Sequence, residues 1–337
     1  MIALKRPFLA VMILFASVML RADPGFPGRW ALTTPEGKAG WLEIKPEKGW
    51  YDGSILWIGG SVLPLADVVL EGDTLTVTRV RDVPRQDGTG QVMRTQQLTE
   101  IITAQVTGDD LNLTRTVPRA DGLGFDRSSF TGRRIPPLPP HPDLAAVRFG
   151  LPVTLFDGKD FAGWRLIESD RVNGWRVENG VLINTPPDWP HVEGQPHQNS
   201  GNLRTVREFE DCRLTLEVNI PPGSNSGIYL RGIYEVQVLD SFGHPLDSHN
   251  MGAIYSRITP TVAAEKPLGE WQALDITLVD RHVTVILNGV KIIDNQPLAG
   301  CTGGALWSDE FRPGPIYLQG DHGPVSYRHI VLRPVLK

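Results

Sequence analysis

The chain has 337 residues, 41% of them hydrophobic and 21% charged, with a formal net charge of −5. That length exceeds what one compact β-domain needs, so two domains are expected. The mild acidity excludes a basic stripe for nucleic acid and a polybasic segment for anionic lipid, and 35 glycines with 28 prolines favour turns and strands over long helices.

The first residues read as an export signal, residues 1–22. Lys5 and Arg6 precede an apolar run from Pro7 to Leu20 that is short for a membrane span, and Ala22 suits the residue before cleavage. An uncleaved anchor is the alternative. Cleavage would leave no stable membrane span and place the protein in a bacterial periplasm or outside the cell.

Residues 23–134 form the first expected domain. Short alternating segments such as "GRWALTT", "AGWLEIKP", "DTLTVTRV" and "DDLNLTRTV" are separated by Gly-, Asp- and Pro-rich turns. This is the pattern of an antiparallel β-domain, a barrel or a sandwich closed on its own edges. Trp30, Trp41, Trp50 and Trp57 read as core or rim residues, with stacking on sugar rings as the alternative. No cluster of carboxylates or histidines lies here, so this domain reads as support or binding. Residues 135–149 follow as a stiff proline-rich linker with few cross-contacts.

The second domain, residues 150–337, is also all-β. Hairpins are predicted at Asn179–Gly180 and at Asn288–Gly289. "DCRLTLEVNI" is a longer strand with Cys212 on its buried side, and "SYRHIVLRPV" closes the chain. The expected architecture is two antiparallel sheets packed face to face, one curved into a cleft. Only Cys212 and Cys301 are available for a disulfide. Buried free thiols are the plainer reading, and an exported protein leaves one bridge open.

The segments "LFDGKDFAGWR", "WRVENGVL", "LTLEVNI", "NSGIYLRG", "YEVQVLD", "GAIYS", "EWQALDITLVD", "VILNGVKIID" and "YRHIVLRP" follow one another over residues 153–335. Together they resemble the 3-keto-disaccharide hydrolase domain family. The resemblance implies a concanavalin-like jelly roll and cleavage of glycosides whose sugar has been oxidised to a ketone at carbon 3. It also implies a separate sugar 3-oxidoreductase acting upstream. The chain departs from the family in a long insertion at residues 186–205 and in the longer segment around "LWSDEFRPGPIYLQGDHG", so substrate identity does not carry over.

Alternation locates the candidate chemistry. Ile228, Leu230, Tyr234, Val236 and Val238 read as core-facing, which turns Tyr229, Arg231, Glu235 and Gln237 the other way. In "LTLEVNI", Thr215, Glu217 and Asn219 oppose the apolar Leu214, Leu216 and Val218. Were the polar face concave, Glu217 and Glu235 would converge; a merely solvated face is the bland alternative. The resemblance assigns this block to the family's polar cleft.

A ketone at C3 acidifies the C2 hydrogen, so a base can remove it, the C1 glycosidic oxygen departs, and water adds afterwards. That needs a base, an electrophile for the enolate and an acid for the leaving group. Glu235 is the expected base and Arg231 the enolate contact, with Glu217 or a loop histidine, His249 ahead of His244, as the acid. Asn225, Gln237, Asp240, His244, Tyr255, Trp307, Gln319 and His322 are the expected substrate contacts.

No cofactor is expected, since no dinucleotide or phosphate loop occurs. A divalent cation on scattered His191, His197, His244, His249 or His322 with Asp240, Asp247 or Asp321 has no ligand spacing behind it. A two-carboxylate glycosidase acting on unoxidised sugar is one alternative. A non-catalytic, lectin-like module is the other, and Glu217 and Glu235 on opposite faces would favour it.

Overall fold

The computed structural model describes residues 25–187, 189 and 200–336; the export-signal segment and the loop histidines His191 and His197 lie outside them. The described residues form strands and turns and no helix. None therefore provides a helix long and apolar enough to cross a membrane.

The N-terminal half is a nine-stranded antiparallel sheet. Its order is Leu63–Pro64, Tyr51–Trp57, Ala39–Pro46, Gly28–Thr33, Phe125–Ile135, Asp110–Pro118, Val92–Thr107, Thr74–Gln86, Asp67–Glu71. The two end strands are halves of one bent stretch. Leu65 donates its amide to Gly53 O and Ala66 to Thr78 O, each at 2.9 Å, so the sheet closes on itself and the barrel alternative holds. Alternation turns Trp30, Leu32, Leu42, Ile44, Leu75, Val77, Ile102, Leu111 and Leu113 inward, where all are buried.

The tryptophans divide. Trp30 lies in the barrel core, with its indole N–H donated to Phe26 O at 2.9 Å. Trp57 is covered by the guanidinium groups of Arg79 and Arg115. Trp50 is 59% exposed. Trp41 faces the second half of the molecule, where Arg257 stacks over its ring at 4.3 Å.

The C-terminal half is a jelly-roll-like β-sandwich. Its larger sheet runs Trp175–Glu178, Val181–Asn184, Val325–Pro334, Cys212–Asn219, Gln272–Val279, His282–Leu287, Val290–Pro297, with Val153–Phe156 paired to Val325–Pro334 off this path. The smaller sheet runs Trp164–Leu166, Leu203–Thr205, Tyr317–Leu318, Asn225–Leu230, Tyr234–Leu239. Both predicted Asn-Gly turns form, with φ of 51° at Asn179, 81° at Gly180, 53° at Asn288 and 84° at Gly289. Positive φ at both central residues matches the right-handed twist of the flanking strands.

One core lies between the two sheets. Leu214, Leu216 and Val218 enter it from one side, and Ile228, Leu230, Val236 and Val238 from the other. Ala39, Trp41, Leu56 and Ile135 of the barrel belong to the same cluster, so barrel and sandwich share apolar contact. Cys212 and Cys301 are buried free thiols. Burial pushes each thiol up to about 12, which leaves both unreactive at neutral pH.

The proline-rich segment departs from the expectation of few cross-contacts. A proline lacks the amide donor but keeps its carbonyl acceptor. The buried Arg281 guanidinium donates to Pro136 O at 3.1 Å and Pro137 O at 2.6 Å, and Asn295 Nδ2 donates to Pro142 O at 3.0 Å. The segment is tied to the sandwich rather than slack beside it.

Candidate active site

The site lies on the outward face of the smaller sheet. Asn225–Leu230 and Tyr234–Leu239 form a hairpin in which Tyr229 stands opposite Glu235, Gly227 opposite Gln237 and Asn225 opposite Leu239. Directly opposed residues share a face, and on the other side Tyr229 is opposite Tyr317. One polar surface therefore carries Asn225, Tyr229, Glu235, Gln237 and Tyr317. Gln319 joins it beside Gly227, to whose carbonyl its amide donates at 2.9 Å.

The outer edge of this hairpin is covered, which is why its polar face is dry. Glu235 N donates to Thr302 Oγ1 at 3.0 Å, Gln237 N to Ala253 O at 2.9 Å, and Tyr255 N to Glu235 O at 3.1 Å. Segments 252–255 and 301–303 thus satisfy the strand edge and wall the face at once.

Glu235 is 3% exposed. The Tyr229 hydroxyl oxygen lies 2.7 Å from its Oε2 and 2.8 Å from Gly303 O. Tyr229 stacks on Tyr317, with centroids 4.1 Å apart and planes 10° from parallel. Glu235 Oε1 occupies the space over Gly227, where an added Cβ would come within 2.3 Å of it. Burial pushes the Glu235 carboxyl up to about 8; the Tyr229 hydrogen bond offsets part of that rise and the Asp321 charge adds to it.

The geometry requires the same thing independently. One phenolic proton cannot be given both to an ionised Glu235 and to Gly303 O. Both short contacts are satisfied when Glu235 holds the proton and donates it to the Tyr229 oxygen.

Toward solvent the face continues into Asp321. Its Oδ1 lies 2.7 Å from His322 Nδ1, and its Oδ2 accepts from Arg171 at 3.3 Å and Asn202 at 3.4 Å. Burial would raise Asp321, but these partners outweigh it and hold the carboxyl below its usual range. The face thus pairs a proton-bearing carboxyl inside with an ionised one at its rim. Among the described residues, no hydrogen-bond donor reaches Asn225 Oδ1 or Gln319 Oε1, two buried acceptors beside Gly227 that could each accept from a hydroxyl.

Two expected catalytic residues lie elsewhere. Glu217 is in the larger sheet, opposite Arg328 across a register shift. It accepts from Arg328 Nε at 2.7 Å and lies 2.7 Å from His329 Nδ1. The two sheets turn their apolar faces toward one core, so their polar faces point in opposite directions. Glu217 and Glu235 therefore cannot act on one glycosidic bond, and the carboxylate pair of the sequence reading is corrected. Arg231 is lost to the site for a different reason. It leaves the strand with φ 53° and donates from Nε at 3.3 Å and Nη2 at 3.0 Å to Arg312 O. Its guanidinium is spent on that backbone, so the enolate contact expected of it is corrected too.

The remaining expectations divide by position. Asn225, Gln237 and Gln319 lie on the Glu235 face, and His322 reaches its rim through Asp321. Gln237 folds its Oε1 onto the amide of Val238 at 2.9 Å. Tyr255 flanks Glu235 through its backbone and packs its ring edge-on against His249, centroids 4.8 Å apart. Asp240 instead accepts from the turn amide of Gly223 at 2.9 Å. His244 is on an exposed loop. Trp307 lies under Arg312, its ring centroid 3.9 Å from that guanidinium. Neither Asp240 nor Trp307 is thereby brought to Glu235. Among the described residues no group of three or more His, Cys, Asp or Glu is arranged to hold a metal ion.

The sequence reading assigned Gly227 and Tyr317 no place in the site, put Tyr229 on the polar face without a role, and offered Asp321 only as a candidate metal ligand. For Gly227 and Tyr229 the signal was present, since both share the parity of Asn225. Tyr317 and Asp321 needed the long-range pairing of Tyr317–Leu318 with the hairpin.

Comparisons with known proteins bear on this half of the chain. Residues 152–333 match the model of the 3-keto-alpha-glucoside-1,2-lyase-like domain. A 3-keto-disaccharide hydrolase of Bacteroides thetaiotaomicron is 31% identical over 170 residues, covering 42% of this chain and 57% of that relative's length. The match thus spans little more than half of that relative. A crystal structure from Parabacteroides distasonis, of a candidate glycosyl hydrolase, is 29% identical, covers 59% of this chain and 93% of its own, and superposes with a TM-score of 0.45. A second one from the same organism is 20% identical, covers 55% and 94%, and gives 0.42.

Proposed function

The chain belongs to the 3-keto-alpha-glucoside-1,2-lyase-like domain family, and from that premise we propose that it cleaves glycosides carrying a ketone at C3 of the sugar. Glu235 takes the C2 proton and charge passes to the C3 oxygen. The C1–O bond then breaks, the departing oxygen acquires a proton, and water adds across the resulting double bond. The observation that carries this reading is a buried carboxyl, 2.7 Å from the Tyr229 hydroxyl, on a polar face lined by amides and stacked tyrosines. A carboxyl pushed up to about 8 is a stronger base, once ionised, than an ordinary carboxylate.

The acid comes from the His249 side of the site, because Glu217 faces the other way. Asn225 and Gln319 offer acceptors for sugar hydroxyls beside Gly227. The ketone itself must be made by a separate sugar 3-oxidoreductase, since elimination changes no net oxidation level. Export, from the pattern of residues 1–22, belongs to the same proposal; fractionation of producing cells for a shortened chain checks it.

The opposite facing of Glu217 and Glu235 favours a second reading, a lectin-like module that binds the glycan unchanged. One experiment separates the two: incubation with matched 3-keto and unoxidised disaccharides, followed by product analysis. Cleavage of the keto substrate alone, lost in Glu235→Gln, is the expected result. Binding of both without cleavage would leave the lectin reading, and cleavage of the unoxidised sugar would return the chain to ordinary glycosidase chemistry.

A further inference from the structure

The barrel loop after Tyr51–Trp57 meets the sandwich beside this site. Ile58 and Gly60 hold positive φ, 66° and 71°, and turn the chain so that Ser61 faces His249. Ser61 Oγ lies 2.8 Å from His249 Nε2, and His249 Nδ1 lies 2.5 Å from Asp247 Oδ1. The next amide, Val62 N, donates to Ser256 Oγ at 2.9 Å, and Ser256 N donates to Ser248 O at 2.9 Å. The loop is therefore pinned at Val62, directly after the Ser61–His249 contact.

Two independent paths connect this cluster to Glu235. Gly60 packs on Gly303 so closely that a Cβ added to Gly303 would come within 2.3 Å of Gly60 O; Gly303 O in turn touches the Tyr229 hydroxyl bound to Glu235. On the other side His249 packs on Tyr255, whose amide donates to Glu235 O. Gly303 and Tyr255 are walls of the candidate site, and Ser61 is joined to the first through its neighbour Gly60 and to the second through His249.

The ring geometry decides what the cluster can do. The Asp247 carboxylate accepts the proton on Nδ1, which leaves Nε2 facing Ser61 alone. With His249 charged, Nε2–H donates to Ser61 Oγ, and the Ser61 O–H is free to point elsewhere. Nδ1 is engaged by Asp247, so among the described residues the proton that Nε2 holds in the charged ring has Ser61 as its acceptor.

We propose that the barrel supplies a catalytic residue to the sandwich: Ser61 hands the proton to the departing glycosidic oxygen and is reprotonated by His249, which Asp247 orients. This rests on the elimination reading above. The balance is simple. The Ser61 O–H bond breaks as the new O–H on the leaving sugar forms, and the Nε2–H proton moves to Ser61 Oγ. The half-exposed imidazole then regains a proton from water. Ser61 lies outside the family match, residues 152–333, so the barrel becomes part of the enzyme rather than an accessory to it.

The test compares leaving groups on the full chain. A sugar needs protonation to depart, whereas 4-nitrophenolate departs without it. Ser61→Ala should lower kcat on a 3-keto-disaccharide by about 100-fold with little change in KM, roughly the size of a lost general acid. The loss should be at least about tenfold smaller with the 4-nitrophenyl 3-keto-glucoside. Ser61→Thr, which keeps the hydroxyl, should recover most of the rate. A ¹⁵N spectrum of the histidine rings at fixed pH should show the His249 Nε2 signal moving in Ser61→Ala.

Equal losses on both substrates would make Ser61 merely structural and overturn the proposal. Sensitivity to His249→Ala without sensitivity to Ser61→Ala would overturn it while leaving the elimination reading intact. A wild-type protein inactive on both keto substrates would defeat that reading, and this assignment with it. The order Ser–His–Asp is also that of a nucleophilic triad. Stoichiometric labelling of Ser61 by a fluorophosphonate would make it a nucleophile and overturn the relay.

Discussion

The hydroxyl oxygen of Tyr229 lies 2.7 Å from Oε2 of Glu235 and 2.8 Å from the carbonyl of Gly303, and one proton cannot satisfy both acceptors. Glu235 therefore rests protonated and must lose that proton before it can act as a base. On the 4-nitrophenyl 3-keto-glucoside, whose leaving group needs no acid, kcat should rise with pH and level off above about 8, the value to which burial brings this carboxyl. A pH–rate profile checks this, and a rate that falls through the same range would make Glu235 an acid. Glu235→Gln should lower kcat by about 1000-fold or more, within the range expected for a lost general base combined with disturbed positioning.

The same carboxyl links stability to pH. Its folded value is raised above the unfolded one near 4.5. Its contribution is therefore fully present below about pH 4.5 and is lost as pH rises through about 8. At about 1.4 kcal/mol per pKa unit the loss is on the order of a few kcal/mol. Melting curves should place Glu235→Gln above wild type at pH 9 and near it at pH 5. A constant difference across that range would contradict a raised carboxyl.

Gly227 is fixed by crowding rather than by backbone conformation. A Cβ there would lie 2.3 Å from Glu235 Oε1 and 3.0 Å from its Cδ. Gly227→Ala should push the carboxyl off Tyr229, lowering kcat by about 100-fold and stability by about 1–3 kcal/mol, the usual range for overpacking. Turnover and thermal unfolding of the one variant measure both. Full activity would mean that the carboxyl has room the geometry denies it.

Much of this was legible in the residues, because alternation and Asn-Gly turns are local. Parity alone turned Glu235 and Gln237 away from Val236 and Val238, and the hairpins at Asn179 and Asn288 formed as read. Parity cannot say which sheet a strand joins. Cys212–Asn219 and Tyr234–Leu239 have the same alternation, yet they face one core from opposite sides, so equal patterns sent Glu217 and Glu235 in opposite directions. Arg231 failed for a related reason: its positive φ ends the alternation one residue before Gly232. Ser61 was beyond reach, since it lies 188 residues from His249 in sequence and in a domain read as support or binding.

Glu217 supplies the negative counterpart. Its carboxylate is held below its usual range chiefly by the Arg328 hydrogen bond, with His329 adding to it. It lies on the far side of the core from Glu235. Its stabilisation is present above the unfolded pKa near 4.5 and is lost as pH falls through the lower folded value. As a partly exposed ion pair it should contribute about 1 kcal/mol or less. Glu217→Gln should therefore leave kcat and KM on a 3-keto-disaccharide within about twofold of wild type and lower the melting temperature slightly at pH 7. The difference should begin to shrink below about pH 4.5, where the unfolded carboxylate takes up its proton, and vanish below the lower folded value. A large loss of turnover in this variant would return Glu217 to the catalytic machinery, which two sheets facing one core do not allow.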